Sequence, residues 1–255
     1  LGDVYKRQPP IAPRSFPPML RSLCIFLGLV ASLPAADSNG VPLFNGRDLT
    51  GWDGDTAFWS VGDGAITGRT TAAKPTPANT FLIWTGGEIA NFELHVTFRI
   101  VGDNDTNTAN SGVQYRSRVM DAAAWRVGGY QADMDGTGKV TGMLYEEKGR
   151  GVLARPGERM KVGPAGSDGK ARLEPLSPAA DSTEIARALR QGDWNDYVIL
   201  AEGDRLRHFV NGKLTADVID LDPAKAAKSG VLALQLHRGP PMTVQFKNIY
   251  LRKLP

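Results

Sequence analysis

Three extended segments carry, at every second position, side chains able to do hydrogen-bonding chemistry. "GYQADMD" (129–135) sets Gln131, Asp133 and Asp135 against Tyr130, Ala132 and Met134. "SGVQYRSR" (111–118) sets Gln114, Arg116 and Arg118 against Val113 and Tyr115, and "LALQLH" (232–237) sets Gln235 and His237 against Leu234 and Leu236. Successive side chains of a strand point to opposite faces, so each segment reads as a strand with an apolar side and a polar side. A solvated outer face would also be polar. Such faces usually carry Thr, Lys, Glu and Ser, whereas here amides, guanidinium, carboxylate and imidazole recur beside glycines and aromatics. These groups form planar arrays able to grip sugar hydroxyls or a carbonyl. If the three strands are neighbours they line one groove; parity alone does not give strand order.

The elements that must position them read as an all-β chain. "FELHVTFRI" (92–100) alternates strictly, as a half-buried strand does. Asn211-Gly212 lies between two extended runs and marks a hairpin, because both turn residues must accept positive φ. The preceding "DWNDYVILAEGD" adds a strand and a Gly203-Asp204 turn, predicting a three-strand meander. "FWSVGDGAITG" reads as two short strands about Gly62-Asp63-Gly64, and two more strands close the chain on either side of "RGPP", where proline cannot join a ladder. Helix is scarce: "DSTEIARALR", with Asp181 or Ser182 as N-cap, is the one segment with suitable start chemistry. Gly149 to Pro178 is rich in glycine and proline and reads as a long loop. Many short strands between turn residues indicate an antiparallel two-sheet sandwich, and 255 residues suit a single unit of that kind.

The front of the chain has a different character. From Met19, "MLRSLCIFLGLVASLPAAD" places Arg21 before an apolar run from Leu23 to Val30 and then small residues. That order predicts a signal peptide over 19–36, with too short an apolar core for a stable span and a mature start near Asp37. Residues 1–18 read as a non-native leader, and 37–255 as the domain. The expected location is secreted or periplasmic, with no membrane span.

The formal charge of +3 belongs to that front, where Lys6, Arg7, Arg14 and Arg21 face Asp3 alone. The domain is therefore near neutral, which removes the basic field that nucleic-acid binding needs. The lone cysteine, Cys24, lies within the signal, so the domain has neither thiol chemistry nor a disulfide.

Eight stretches in order, "LFNGRDLTGW", "WSVGDGAITG", "NFELHVTFRI", "NSGVQYRS", "GYQADMD", "GMLYEEKGRGVLA", "WNDYVILAEGDRLRHFVNG" and "LQLHRGPPMTVQFKNIYLRKL", span 43–254. Together they resemble the 3-keto-disaccharide hydrolase family. The resemblance implies a concanavalin-A-like jelly roll acting on sugars oxidised at C3, and functional coupling to a C3-sugar dehydrogenase. A C3 ketone acidifies the C2 proton, so loss of that proton can expel the C1 oxygen; the path needs a base, an oxyanion donor and an acid. On the family-matching pieces, Asp133 and Glu146 are the expected acid and base, with Arg116 or His237 stabilising the oxyanion. Glu147 should face away from Glu146, which leaves open which of the two enters the site. Gln114, Gln131, Tyr145, Glu147, Arg150 and Gln235 are the expected substrate contacts.

Two alternatives stay open at this level. A Ca²⁺ or Mn²⁺ ion could sit on Asp133, Glu146 and His237, although three histidines without zinc-type spacing argue against zinc. His95 and His208 lie mid-strand, on faces expected to be wet. A lectin-like carbohydrate-binding module would use the same sandwich, with Trp52, Trp84 or Trp125 stacking on sugar rings.

Overall fold

The computed structural model describes residues 40–255; the expected leader and signal peptide lie outside the described residues. In chain order the strands are β1 (Val41–Pro42), β2 (Trp52–Asp53), β3 (Trp59–Gly62), β4 (Ala65–Thr70), β5 (Thr80–Trp84) and β6 (Phe92–Gly102). There follow β7 (Asn110–Asp121), β8 (Arg126–Asp135), β9 (Leu144–Glu147), β10 (Gly151–Ala154), β11 (Glu158–Gly163) and β12 (Arg172–Pro175). After helix α1 (Ser182–Ala188) come β13 (Asn195–Glu202), β14 (Arg205–Val210), β15 (Lys213–Asp220), β16 (Val231–Leu236) and β17 (Met242–Lys253).

These strands form two sheets. The ten-stranded sheet runs β12-β11-β15-β14-β13-β6-β17-β4-β3, with β1 on β17; the seven-stranded sheet runs β10-β9-β8-β7-β16-β5-β2. One core cluster takes Phe92, Leu94, Val96 and Phe98 from the first sheet and Leu82, Val113, Tyr130, Ala132 and Leu234 from the second, so the two pack face to face. The alternation of β6 explains its place: Phe92, Leu94, Val96, Phe98 and Ile100 are buried and the polar residues between them are half-buried. The architecture is the expected all-β sandwich with one short helix.

Local chemistry sets the boundaries. Asp181 caps α1 by accepting from Thr183 N at 2.7 Å. Asn211 and Gly212, at φ 47° and 79°, turn β14 into β15 as their positive φ requires. The meander β13-β14-β15 also forms as expected.

Two expectations are corrected. The stretch from Gly149 to Pro178 is not one loop: it holds β10, β11 and β12. Its strands are short and interrupted by glycine turns, so neither a period-2 run nor a helical period is long enough to register. Strand β11 also pairs parallel with β15, Glu158 opposite Ala216, so the sandwich is antiparallel except at that seam.

Candidate functional site

Strand order now decides what parity could not. In the seven-stranded sheet Gln114 lies opposite Gln131, Gly112 opposite Asp133, and Gln131 opposite Tyr145, while Gly129 faces Glu147. On β16, Gln235 follows the same parity as Ala233, which pairs with Gln114. Gln114, Gln131, Asp133, Gln235, Tyr145 and Glu147 therefore share the face turned away from the core. The tip of the β7–β8 hairpin closes over part of it. Trp125 donates its indole N–H to Asp53 at 3.0 Å, its carbonyl accepts from Phe81 N at 3.0 Å, and Val127 packs with Phe81, Ile83 and Ala233.

Beneath this cover the three glutamines form a directed chain. Ser117 Oγ donates to Gln114 Oε1 (2.7 Å), Gln114 Nε2 to Gln131 Oε1 (2.6 Å), and Gln235 Nε2 to the same Gln131 oxygen (2.8 Å). The Gln131 oxygen is thus fully used, and its Nε2 is aimed at Asp133 Oδ1, to which it donates. Room for this comes from Gly112: a Cβ there would lie 2.5 Å from Gln131 Cγ. Asp133 is only 4% exposed. Burial raises its pKa to about 7, against the lowering hydrogen bond from Gln131, and the charges of Asp135 and Glu147 push the same way as burial.

The open end of the face is a cleft of about 580 Å³ lined by Asn79, Arg126, Tyr145, Glu147, Lys148 and His237. His237 Nδ1 is hydrogen-bonded to the Arg238 carbonyl, which fixes N–H at Nδ1 and leaves Nε2 as an acceptor. Burial lowers the imidazole pKa, against the raising effects of the Arg238 carbonyl and the Glu147 charge. Tyr145 is held protonated, its pKa raised by burial and then by Glu147 and Asp133. Asn79 donates to Glu147 Oε1 at 3.4 Å and accepts from Arg238 N at 3.0 Å, so it ties the His237 segment to β9. Nothing in the spacing of the chain points to Asn79; its position before β5 matters only because β5 pairs with β16.

Of the residues expected from the sequence, Gln114, Gln131, Asp133, Gln235, Tyr145 and Glu147 come together on one face, and His237 lines the same cleft as the last two. Three do not join them. Glu146 lies opposite Tyr130, a core residue. Its Oε2 accepts from Arg150 N and Nε, each at 2.7 Å. Arg150 is turned inward with it, donating to both oxygens of Asp220, at 3.0 and 2.6 Å. The third is Arg116, which sits on a β-bulge at φ 45°, where the register of β7 on β8 slips between Tyr115 and Arg118. A bulge inserts an extra residue and breaks alternation. Its guanidinium consequently leaves the Gln114 face and donates to the carbonyls of Ala90 (2.7 Å) and Gly203 (2.8 Å).

Other expectations change for equally local reasons. Asp135 organises the 136–141 turn, accepting from Val140 N and Thr141 N at 3.0 Å each. His208 is not on a wet face: it is buried between Tyr115 Oη at 2.9 Å and Tyr197 Oη at 3.2 Å, and burial lowers its pKa to about 3. With Glu146 committed to Arg150, the trio expected for Ca²⁺ or Mn²⁺ does not converge, and among the described residues no three His, Cys, Asp or Glu stand as metal ligands would. Trp52 is buried, its indole donating to Leu43 O at 2.8 Å, so it is unavailable for stacking. No described helix is long and apolar enough to cross a membrane.

Comparison with known proteins gives the fold neighbours and the family. Two solved structures from Parabacteroides distasonis, each provisionally named a glycosyl hydrolase, are both 18% identical. The first has a TM-score of 0.51 and covers 84% of this chain and 98% of its own; the second has 0.50, with 84% and 93%. A Bacillus subtilis protein of unknown function with a galectin-like fold gives 0.51 at 6% identity, covering 80% of this chain and 90% of its own. At such identities the likeness concerns the fold alone. A search of curated proteins finds no match. The family model for the 3-keto-alpha-glucoside-1,2-lyase-like domain matches residues 39–252, essentially all of the sandwich, and the chain belongs to that family.

Proposed function

We propose that the protein is a secreted or periplasmic enzyme that cleaves 3-keto-glycosides by elimination across C1 and C2. The observation that carries this reading is the meeting of Tyr145, Glu147 and His237 in one open cleft, on the face where Gln131 is aimed at Asp133. Family membership supports the substrate class.

Each step can be assigned to a group in a suitable protonation state. His237 Nε2, neutral and unprotonated, takes the C2 proton. The electron pair moves to the C3 oxygen, where the protonated Tyr145 hydroxyl donates a hydrogen bond. The enolate then expels the C1 oxygen as the C1–O bond breaks, and Asp133, which retains its proton up to about pH 7, protonates the leaving oxygen. Burial drives the imidazole down and the carboxyl up, so base and acid coexist near neutrality. Glu147, with Asn79 and Lys148, contacts the sugar hydroxyls. Water adding to the resulting enone completes a net hydrolysis.

A lectin-like module has no use for a carboxyl held near neutrality on the same sheet face as an unprotonated imidazole. A C3-oxidising dehydrogenase must supply the substrate, since an unoxidised glycoside lacks the acidic C2 proton. The test is incubation with a 3-keto-glucoside and with its unoxidised parent, following aglycone release and ultraviolet absorbance of the enone. Release from the keto sugar alone, with transient absorbance, is the expected result; equal inertness of both sugars would remove the enzyme reading, and release without an enone would replace elimination by direct hydrolysis.

A further inference from the structure

A second and larger cleft, of about 860 Å³, opens beside the first and shares Glu147 and Lys148 with it. Its volume is in the range of about 300–1,000 Å³ that holds drug-sized ligands. Arg116 and Arg118 line it from β7, Lys225 from the β15–β16 connection, and Val119 and Val231 give it apolar surface.

The charge on Arg116 is unusual. The residue is buried, and its four acceptors are the carbonyls of Ala90, Gly203 and Ala227 (2.7, 2.8 and 3.3 Å) and Asn91 Oδ1 (3.1 Å), all of them uncharged. A guanidinium stays ionised, so four of its five N–H groups are met by neutral acceptors while its charge has no carboxylate partner. Lys228 feels that charge: after burial, Arg116 is the next cause lowering its pKa. Of the acids in the cleft, Glu146 is neutralised by Arg150 at 2.7 Å and Glu147 is offset by Lys148 at 3.9 Å, while Glu88 keeps its charge and accepts from Ser229 Oγ at 2.9 Å. Arg118 and Lys225, both exposed, add positive charge at the mouth.

Resting on the 3-keto-glycoside reading, we infer that this cleft receives the leaving-group half of the substrate, and that the leaving group it favours is a carboxylate-bearing sugar. The keto ring then occupies the Tyr145–His237 cleft, and the acid end of the leaving group supplies the counter-charge that Arg116 lacks. A preformed positive site gains affinity for an anion without reorganising.

The experiment is calorimetric titration with two unoxidised disaccharides of equal length, glucosyl-glucuronic acid and glucosyl-glucose. Titrations run at about 10 mM and about 300 mM salt, because screening separates charge from shape. The wild type is compared with the Arg118→Gln/Lys225→Gln double variant, whose side chains are exposed and outside the catalytic cleft. The acid is expected to bind about tenfold tighter at low salt, with the difference shrinking at high salt and in the variant. Equal binding of the two sugars or no binding of either overturns the inference, whereas a preference that persists in the variant supports the buried Arg116 as the charge that selects the acid. Turnover of a methyl 3-keto-glucoside, which has no leaving-group acid, is measured in parallel on the wild type. Loss of that turnover in the wild type would sink the enzyme reading alone, because the titrations judge the cleft independently.

Discussion

Glu146 and Glu147, adjacent in sequence, serve opposite sides of one sheet. Glu146 holds Arg150 at 2.7 Å within the interior, whereas Glu147 lines the cleft and accepts from Asn79. Substitution should separate the two roles. Glu147→Gln is expected to raise KM about tenfold with little change in melting temperature, since only contacts to substrate hydroxyls weaken. Glu146→Gln should instead cost about 2 kcal/mol of stability, below the roughly 3–5 kcal/mol of a fully broken buried pair because Arg150 keeps Asp220. Thermal unfolding together with steady-state kinetics on both variants checks this; a stable, inactive Glu146→Gln would reverse the assignment.

Asp133→Asn should uncouple activity from stability. Without the acid for the leaving oxygen, kcat is expected to drop by about 10²–10⁴. Burial pushes the folded carboxyl up to about 7 from the 3.8 of a free aspartate, so between these pH values the folded state keeps a proton that the unfolded state has released. Wild-type stability from this group therefore falls as pH rises from about 4 to about 7. The asparagine variant lacks that loss and should be more stable than wild type at pH 8, by an amount on the order of 2–4 kcal/mol, with the two converging below pH 4. His208 acts in the opposite sense, since its depressed pKa makes stability fall as pH drops from about 6.5 toward 3. The difference between variant and wild type, measured by denaturant titration across pH, isolates the Asp133 contribution.

How much of this was legible in the sequence depends on what alternation can encode. The strand faces of Gln114, Gln131, Asp133 and Gln235 were readable because period-2 parity is local, and the neutral, disulfide-free sandwich followed from composition and turn residues. Arg116 was misread because parity presumes an unbroken ladder, and a bulge at a non-glycine residue leaves no mark in the pattern. The two glutamates could be placed on opposite faces but not assigned to them, since the phase of β9 is set by its pairing with β8 rather than by its four residues. His208 looked exposed because an imidazole between two tyrosines is a polar group in a core, and only the tertiary fold brings Tyr115 and Tyr197 to it. Asn79 was invisible for the same reason: it acts across 68 residues.

Gly112→Ala probes the glutamine chain without altering any polar group. The new methyl would meet Gln131 Cγ at 2.5 Å and Gln131 Cδ at 2.7 Å, forcing that side chain off Asp133. Overpacking of this sort costs about 1–3 kcal/mol, so the protein should still fold. Deprived of the Gln131 hydrogen bond, which lowers its pKa, Asp133 should titrate higher than in wild type. The expected signature is a basic limb of the rate profile displaced to higher pH along with a lower kcat. An unchanged limb would mean that Gln131 does not govern Asp133.

The pH–rate profile of the wild type tests the division of labour most directly. His237 must be unprotonated to accept the C2 proton, and burial lowers its pKa below the ordinary 6.5, so kcat/KM should rise with pH on the acidic side and level off below 6.5. Asp133 must be protonated to donate, so activity should decline as pH passes about 7. The result is a bell with its maximum on the acidic side of neutrality, because the base titrates below the acid and both are in working form between them. His237→Gln should remove the acidic limb and lower kcat by about 10²–10⁴, while Asp133→Asn should remove the basic limb. If the limbs were exchanged between the variants, Asp133 would be the base and His237 the acid. In that reversed assignment only the minor fraction with Asp133 ionised and His237 protonated would react, so the order of the two pKa values favours imidazole as the base.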